Sequence, residues 1–92
     1  MDPQQEERRG EEAKQLLANP LYEESWQVVR ERIVVMLEQS GLKPEERERL
    51  NNALVGLKLA NHYLKQVIAT GTMAAMETQH KRSLADRILR RA

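Results

Sequence analysis

Apolar residues recur at three- and four-residue steps along most of this chain, and the pattern is interrupted at Asn19-Pro20, at Gly41–Pro44 and at Gly71. Four helices follow from those interruptions. The first is short: Ala13, Leu16 and Leu17 share one helical face after Gly10, and Asn19-Pro20 stops the helix because the residue before proline is pushed out of the α region. The same dipeptide opens the next helix. Asn19 supplies a capping oxygen, Pro20 suits the first helical position, and Glu23 and Glu24 complement the positive end of the helix dipole.

The second helix is expected to run to Ser40, with Gly41 in the left-handed conformation that ends many helices. Its stripe is Trp26, Val29, Ile33, Met36 and Leu37. Val28, Val34 and Val35 widen that stripe, so either two neighbours flank this helix or part of it is an interface. Pro44, followed by Glu45 and Glu46, opens a third helix reaching about Thr70. Leu50, Leu57 and Leu64 occupy one register of it, and Leu54, Asn61 and Ile68 the other. The short Gly41–Lys43 turn predicts an antiparallel hairpin between the second and third helices.

Gly71 is expected to end the third helix and Thr72 to cap a fourth. The fourth carries a narrow stripe of Met73, Met76, His80, Leu84 and Ile88. The expected architecture is all-α: a disordered acidic segment (1–9), a hairpin domain with a short N-terminal helix (10–71), and a basic C-terminal helix (72–92).

Composition narrows the chemistry. The chain has 92 residues, no cysteine, no phenylalanine, and only Trp26, Tyr22 and Tyr63 as aromatics. Leu, Ile, Val, Met and Ala must therefore form the core, which favours helix packing over a sheet. Lack of cysteine excludes disulfides, thiol catalysis and thiolate metal sites, and an intracellular location is the natural expectation. No apolar run reaches the roughly 18 residues that span a bilayer, and the polar start MDPQQEERRGEE is unlike a secretory leader.

The net charge of +1 conceals a gradient along the chain. Residues 1–25 hold seven acids against three bases, residues 26–71 five against seven, and residues 72–92 two against five. Such asymmetry suits head-to-tail association or an anionic partner for the C-terminal segment.

Catalytic constellations are missing from the pattern. His62 and His80 stand apart on different predicted helices, with no acid at metal-ligand spacing, and no glycine-rich phosphate loop occurs. No cofactor or metal is implied, and the expected protein is not an enzyme. Glu23-Glu24 and Glu45-Glu46 are explained as first-turn acids.

Interaction residues are easier to nominate. Gly56 lies inside a helix, where glycine costs about 1 kcal/mol relative to alanine, and reads as room for a second helix. Asn61 sits in an apolar register, where a polar residue either fixes helix pairing or marks a wetted edge. Leu21 is expected against Leu16 or Leu17, and Tyr22, on another face, is a candidate partner contact. Met73, Met76, Leu84 and Ile88 suit an adaptable helix-in-groove contact. Lys81, Arg82, Arg87, Arg90 and Arg91 are candidate nucleic-acid contacts, although no aromatic interleaves them and the sequence pI is about 8.1. A membrane-surface role is disfavoured, because the C-terminal stripe is slight and carries no Trp or Phe.

Two stretches carry a resemblance. ANPLYEESW, residues 18–26, ends one helix at Asn-Pro and continues with Leu, an aromatic and acids; a helical hairpin follows whose second arm reads ERERLNNALVGLKLANHYLKQVIATG. In these features, over roughly residues 13–71, the chain resembles a type of small all-helical tailed-bacteriophage protein of unassigned function, sometimes encoded near head and packaging genes. The resemblance implies an accessory or virion-assembly protein working by protein–protein contact, and brings no catalytic residues with it. It does not extend to a complete helix-turn-helix DNA binder or to a nuclease. The apolar faces of residues 26–37 and 50–68 exceed what two helices alone can bury, which predicts a homo-oligomer or a subunit of a larger assembly. The alternatives are a small nucleic-acid-binding regulator and an inhibitor of a host protein.

Overall fold

A computed structural model describes residues 1–91, with side chains through Arg90. The described residues form three α-helices and no strand: α1 (Pro3–Ala18), α2 (Pro20–Leu37) and α3 (Pro44–Arg91). The all-α expectation holds, and the number and bounds of the helices differ from the predicted ones.

At the N-terminus, residues expected to be disordered are helical. Asp2 is the reason: its Oδ1 accepts from the Gln5 backbone N–H at 2.9 Å, and Gln5 Oε1 accepts from the Asp2 N–H at 3.2 Å. This is a capping box, with Pro3 at the first helical position. Gly10 consequently lies inside α1 and does not start it.

The α2 start matches the expectation. Asn19 is extended (φ −70°, ψ 121°), and its Oδ1 accepts from the N–H groups of Leu21 and Tyr22 at 2.9 and 3.2 Å. The helix ends at Leu37, a turn short of Ser40. Gly41 then adopts φ +82°, the left-handed region where only glycine is unstrained. Arg47 donates from Nη1 to the Leu37 carbonyl at 3.4 Å, satisfying one of the acceptors that the end of α2 leaves open.

From Pro44, α3 continues for 48 residues, and the expected break at Gly71-Thr72 does not occur. Thr72 does not cap anything; its hydroxyl donates to the Ile68 carbonyl at 3.0 Å within the running helix.

The chain divides into two compact bodies, one formed by Met1–Gln15 with Lys65–Ala92, the other by Leu16–Leu64. In the first body, Gly10 and Ala13 of α1 and Gly71 and Ala74 of α3 are buried. Small residues at those positions let two helix backbones meet closely. A Cβ on Gly71 would stand 2.8 Å from the Glu6 carbonyl oxygen and 3.0 Å from Gly10 Cα. In the second body, Ile33 is the one buried side chain among the described residues, at 7% exposure. Tyr22, Trp26 and Leu37 of α2, with Leu50, Leu54 and Leu57 of α3, are half-buried. These are thin cores, as expected of a small chain.

Candidate interaction surfaces

Each nominated residue can be located within its own body. In Leu16–Leu64, the structure brings Tyr22 and Asn61 together: the phenol donates to Asn61 Oδ1 at 3.0 Å. Thirty-nine positions separate them in sequence. The asparagine in the apolar register therefore aligns α3 with α2 inside this chain, and the Tyr22 hydroxyl is occupied there. Leu21, expected to pin a corner, is 69% exposed instead.

Trp26 is half-buried, and its Nε1 is enclosed with no hydrogen-bond acceptor among the described residues. An enclosed donor of this kind costs about 1–3 kcal/mol.

Val35 is 58% exposed, and with Val28, Glu31, Arg32 and Met36 it borders a shallow, largely apolar depression on α2. Part of the widened apolar face thus has no neighbour in the second body. Gly56 has nothing within 4 Å of where a Cβ would stand. None of the described residues packs closely there, so the room read from the sequence is not filled among them.

One surface escaped sequence reading. Val55, Leu59 and Tyr63 are 53–61% exposed on α3. They recur at four-residue steps on the side of α3 away from Leu50, Leu57 and Leu64. The signal was present in the sequence, but the stronger leucine register beside it took the assignment.

In the first body, Met73 and Met76 are 70% and 65% exposed, Leu84 43% and Ile88 68%. Residues 79–90 are exposed without exception, three turns of helix that no other part of that body covers. Lys81, Arg82, Arg87 and Arg90 lie in this stretch; the Arg91 side chain lies outside the described residues. Lys81 pairs with Glu77 at 3.2 Å on an exposed surface, a contact worth little in water.

Among the described residues, no group of three or more His, Cys, Asp or Glu side chains could hold a metal ion, and no helix is long and apolar enough to cross a membrane. Compared with family models, curated proteins and solved structures, the chain matches none.

Proposed function

We propose that this is a non-enzymatic structural or adaptor protein that acts through helix-mediated protein–protein contacts, built around a hairpin of α2 and the first half of α3. One observation carries the reading: apolar side chains are extensively exposed at regular helical steps, whereas burial is limited to Ala13, Ile33, Ala74 and two glycines among the described residues. Surfaces of that kind mark interaction sites rather than catalytic ones. The hairpin is supported by two ties, Tyr22 to Asn61 and Leu37 to Arg47, which join opposite ends of α2 to α3. The resemblance to small phage proteins adds a setting, accessory or assembly work on a phage particle, which genomic neighbourhood tests directly.

Size-exclusion chromatography with light scattering tests the reading itself. An oligomer, or a stable complex with a protein from the same particle or host, is expected; a salt-insensitive monomer at micromolar concentration that captures no protein overturns it.

A second reading, nucleic-acid binding through Lys81, Arg82, Arg87, Arg90 and Arg91, is favoured by the bases clustered on the uncovered end of α3. Replacing the five with glutamine would abolish a salt-steep retention of DNA or RNA if that reading is right, and would leave a protein assembly intact if the first is.

A further inference from the structure

Two of the four methionines stand three residues apart on α3, and a histidine follows one turn later: Met73, Met76 and His80. Residues three and four apart on a helix are neighbours, with about 5–6 Å between their Cβ atoms. Met76 therefore adjoins both of the others, and the three share one face. Gly71, which meets Gly10 of α1, and the buried Ala74 occupy the other side of the helix. Met73 and Met76 are 70% and 65% exposed, and His80 is exposed as well. Among the described residues, none of the three makes a hydrogen bond or an ion pair.

Two thioethers and an imidazole are a distinctive donor set. Thioether sulfur is a soft ligand that selects Cu(I), and imidazole suits copper, whereas hard cations demand oxygen ligands. We propose that Met73, Met76 and His80 form a binding site for Cu(I), a soft monovalent cation, held by the two Sδ atoms and one imidazole nitrogen. Methionine falls outside the His, Cys, Asp and Glu set in which no metal-holding group occurs among the described residues. The site goes beyond the protein-contact reading and does not depend on it.

Three observations favour it. Sulfur occurs on α3 only at these two positions, beside the histidine; the other exposed aliphatic positions of the same helix are Val55, Leu59, Leu84 and Ile88. An apolar contact does not require sulfur, and a soft cation does.

The backbone is also formed in advance. Helix α3 runs through Gly71 and Thr72 without a break, and Ala74, at 3% exposure, anchors the turn that carries Met73 and Met76. The three rotatable bonds of each methionine then bring the sulfurs toward His80 without moving the main chain.

The surrounding charge disfavours the common competitors. Glu77, the carboxylate nearest the three donors in sequence, is held by Lys81 at 3.2 Å, and Lys81 and Arg82 directly follow His80. A hard dication finds no free oxygen ligand in that turn and two ammonium or guanidinium charges beside it, while a soft cation bound through sulfur carries less charge to repel.

Titration of the full chain with Ag(I), a redox-stable stand-in for Cu(I), tests the site by NMR. The ε-methyl resonances of Met73 and Met76 and the ring protons of His80 are expected to shift together and to saturate at one cation per chain. Met1 is the internal control, because at 69% exposure it is as accessible as Met73 and is expected not to move in that range. Competition with bicinchoninate for Cu(I) under anaerobic conditions gives the affinity. Met76→Leu, which keeps the apolar bulk and removes the sulfur, is expected to weaken Cu(I) binding at least about tenfold, the least that loss of even an outer-shell partner brings. His80→Gln is expected to do the same, and Met36→Leu to change nothing, with circular dichroism reporting that helicity persists in each. A Met1 methyl that shifts along with Met73, or an affinity that Met76→Leu leaves unaltered, overturns the proposal. Neither result touches the protein-contact reading, since leucine preserves the apolar face on which that reading rests.

Discussion

Gly10 and Gly71 meet backbone to backbone: a Cβ built on Gly10 would lie 3.1 Å from Gly71 Cα, and one built on Gly71 would lie 3.0 Å from Gly10 Cα. The neighbouring atoms at this crossing are main-chain atoms, including the carbonyl oxygens of Glu6, Val67 and Ile68. A side chain can rotate away from an intruding methyl; a helix backbone can only translate.

Gly71→Ala is therefore expected to separate α1 from α3 and to destabilise the first body. Overpacking of this kind costs about 1–3 kcal/mol, and the better helix propensity of alanine returns about 1 kcal/mol of it. A net loss of up to roughly 2 kcal/mol should appear in urea unfolding followed by circular dichroism. Gly10→Ala, with a nearest approach of 3.1 Å rather than 2.8 Å, should lose less.

Gly56→Ala should act in the opposite direction. With nothing within 4 Å of the added methyl, only the propensity gain remains, about 1 kcal/mol. The same urea titration at low protein concentration, where association is absent, should place its midpoint above that of the parent chain. A lower midpoint would mean that a neighbour packs against Gly56 after all.

These glycines show where sequence reading succeeds and where it stops. Asn19-Pro20 and Pro44 were legible because proline and a capping side chain admit few conformations. Glycine does not constrain its surroundings in that way. Its missing Cβ suits a left-handed turn at Gly41 and a close helix crossing at Gly71 equally well, and only the chain on the other side distinguishes them. The extension of the N-terminal helix back to Pro3 was missed for a related reason: Gly10, at its packed crossing, carries no hydrophobic signal and read as a start. Asp2-Pro3 repeats the punctuation of Asn19-Pro20 and would have revealed the start. Of the interaction residues, Met73, Met76, Leu84 and Ile88 were legible as an uncovered stripe, while Tyr22 and Asn61 proved to be partners of each other.

That pair supports a coupled prediction. Tyr22→Phe should leave Asn61 with an unmatched acceptor in a part-buried position, and Asn61→Leu should leave the phenol unmatched. Each single change is expected to cost about 1 kcal/mol, while the double change, which removes both polar groups, should cost little more than either alone. A double-mutant cycle in chemical denaturation should thus give a coupling energy near 1 kcal/mol; strict additivity would mean that the hydrogen bond does not form in solution.

Trp26 combines two effects of opposite sign. Its indole is half-buried on α2, so Trp26→Ala should be costly, by about 3 kcal/mol where a large aromatic is truncated in a core and less at a half-buried position such as this. Its enclosed Nε1 has no acceptor among the described residues, and that penalty vanishes when the nitrogen is removed. Trp26→Phe keeps an aromatic ring and deletes the donor, so the lost packing is offset by about 1–3 kcal/mol of relieved desolvation. The phenylalanine variant should accordingly unfold within about 1 kcal/mol of the parent, well above the alanine variant. If both variants lose the same stability, an acceptor reaches Trp26 in solution, and a partner chain becomes the natural source of it.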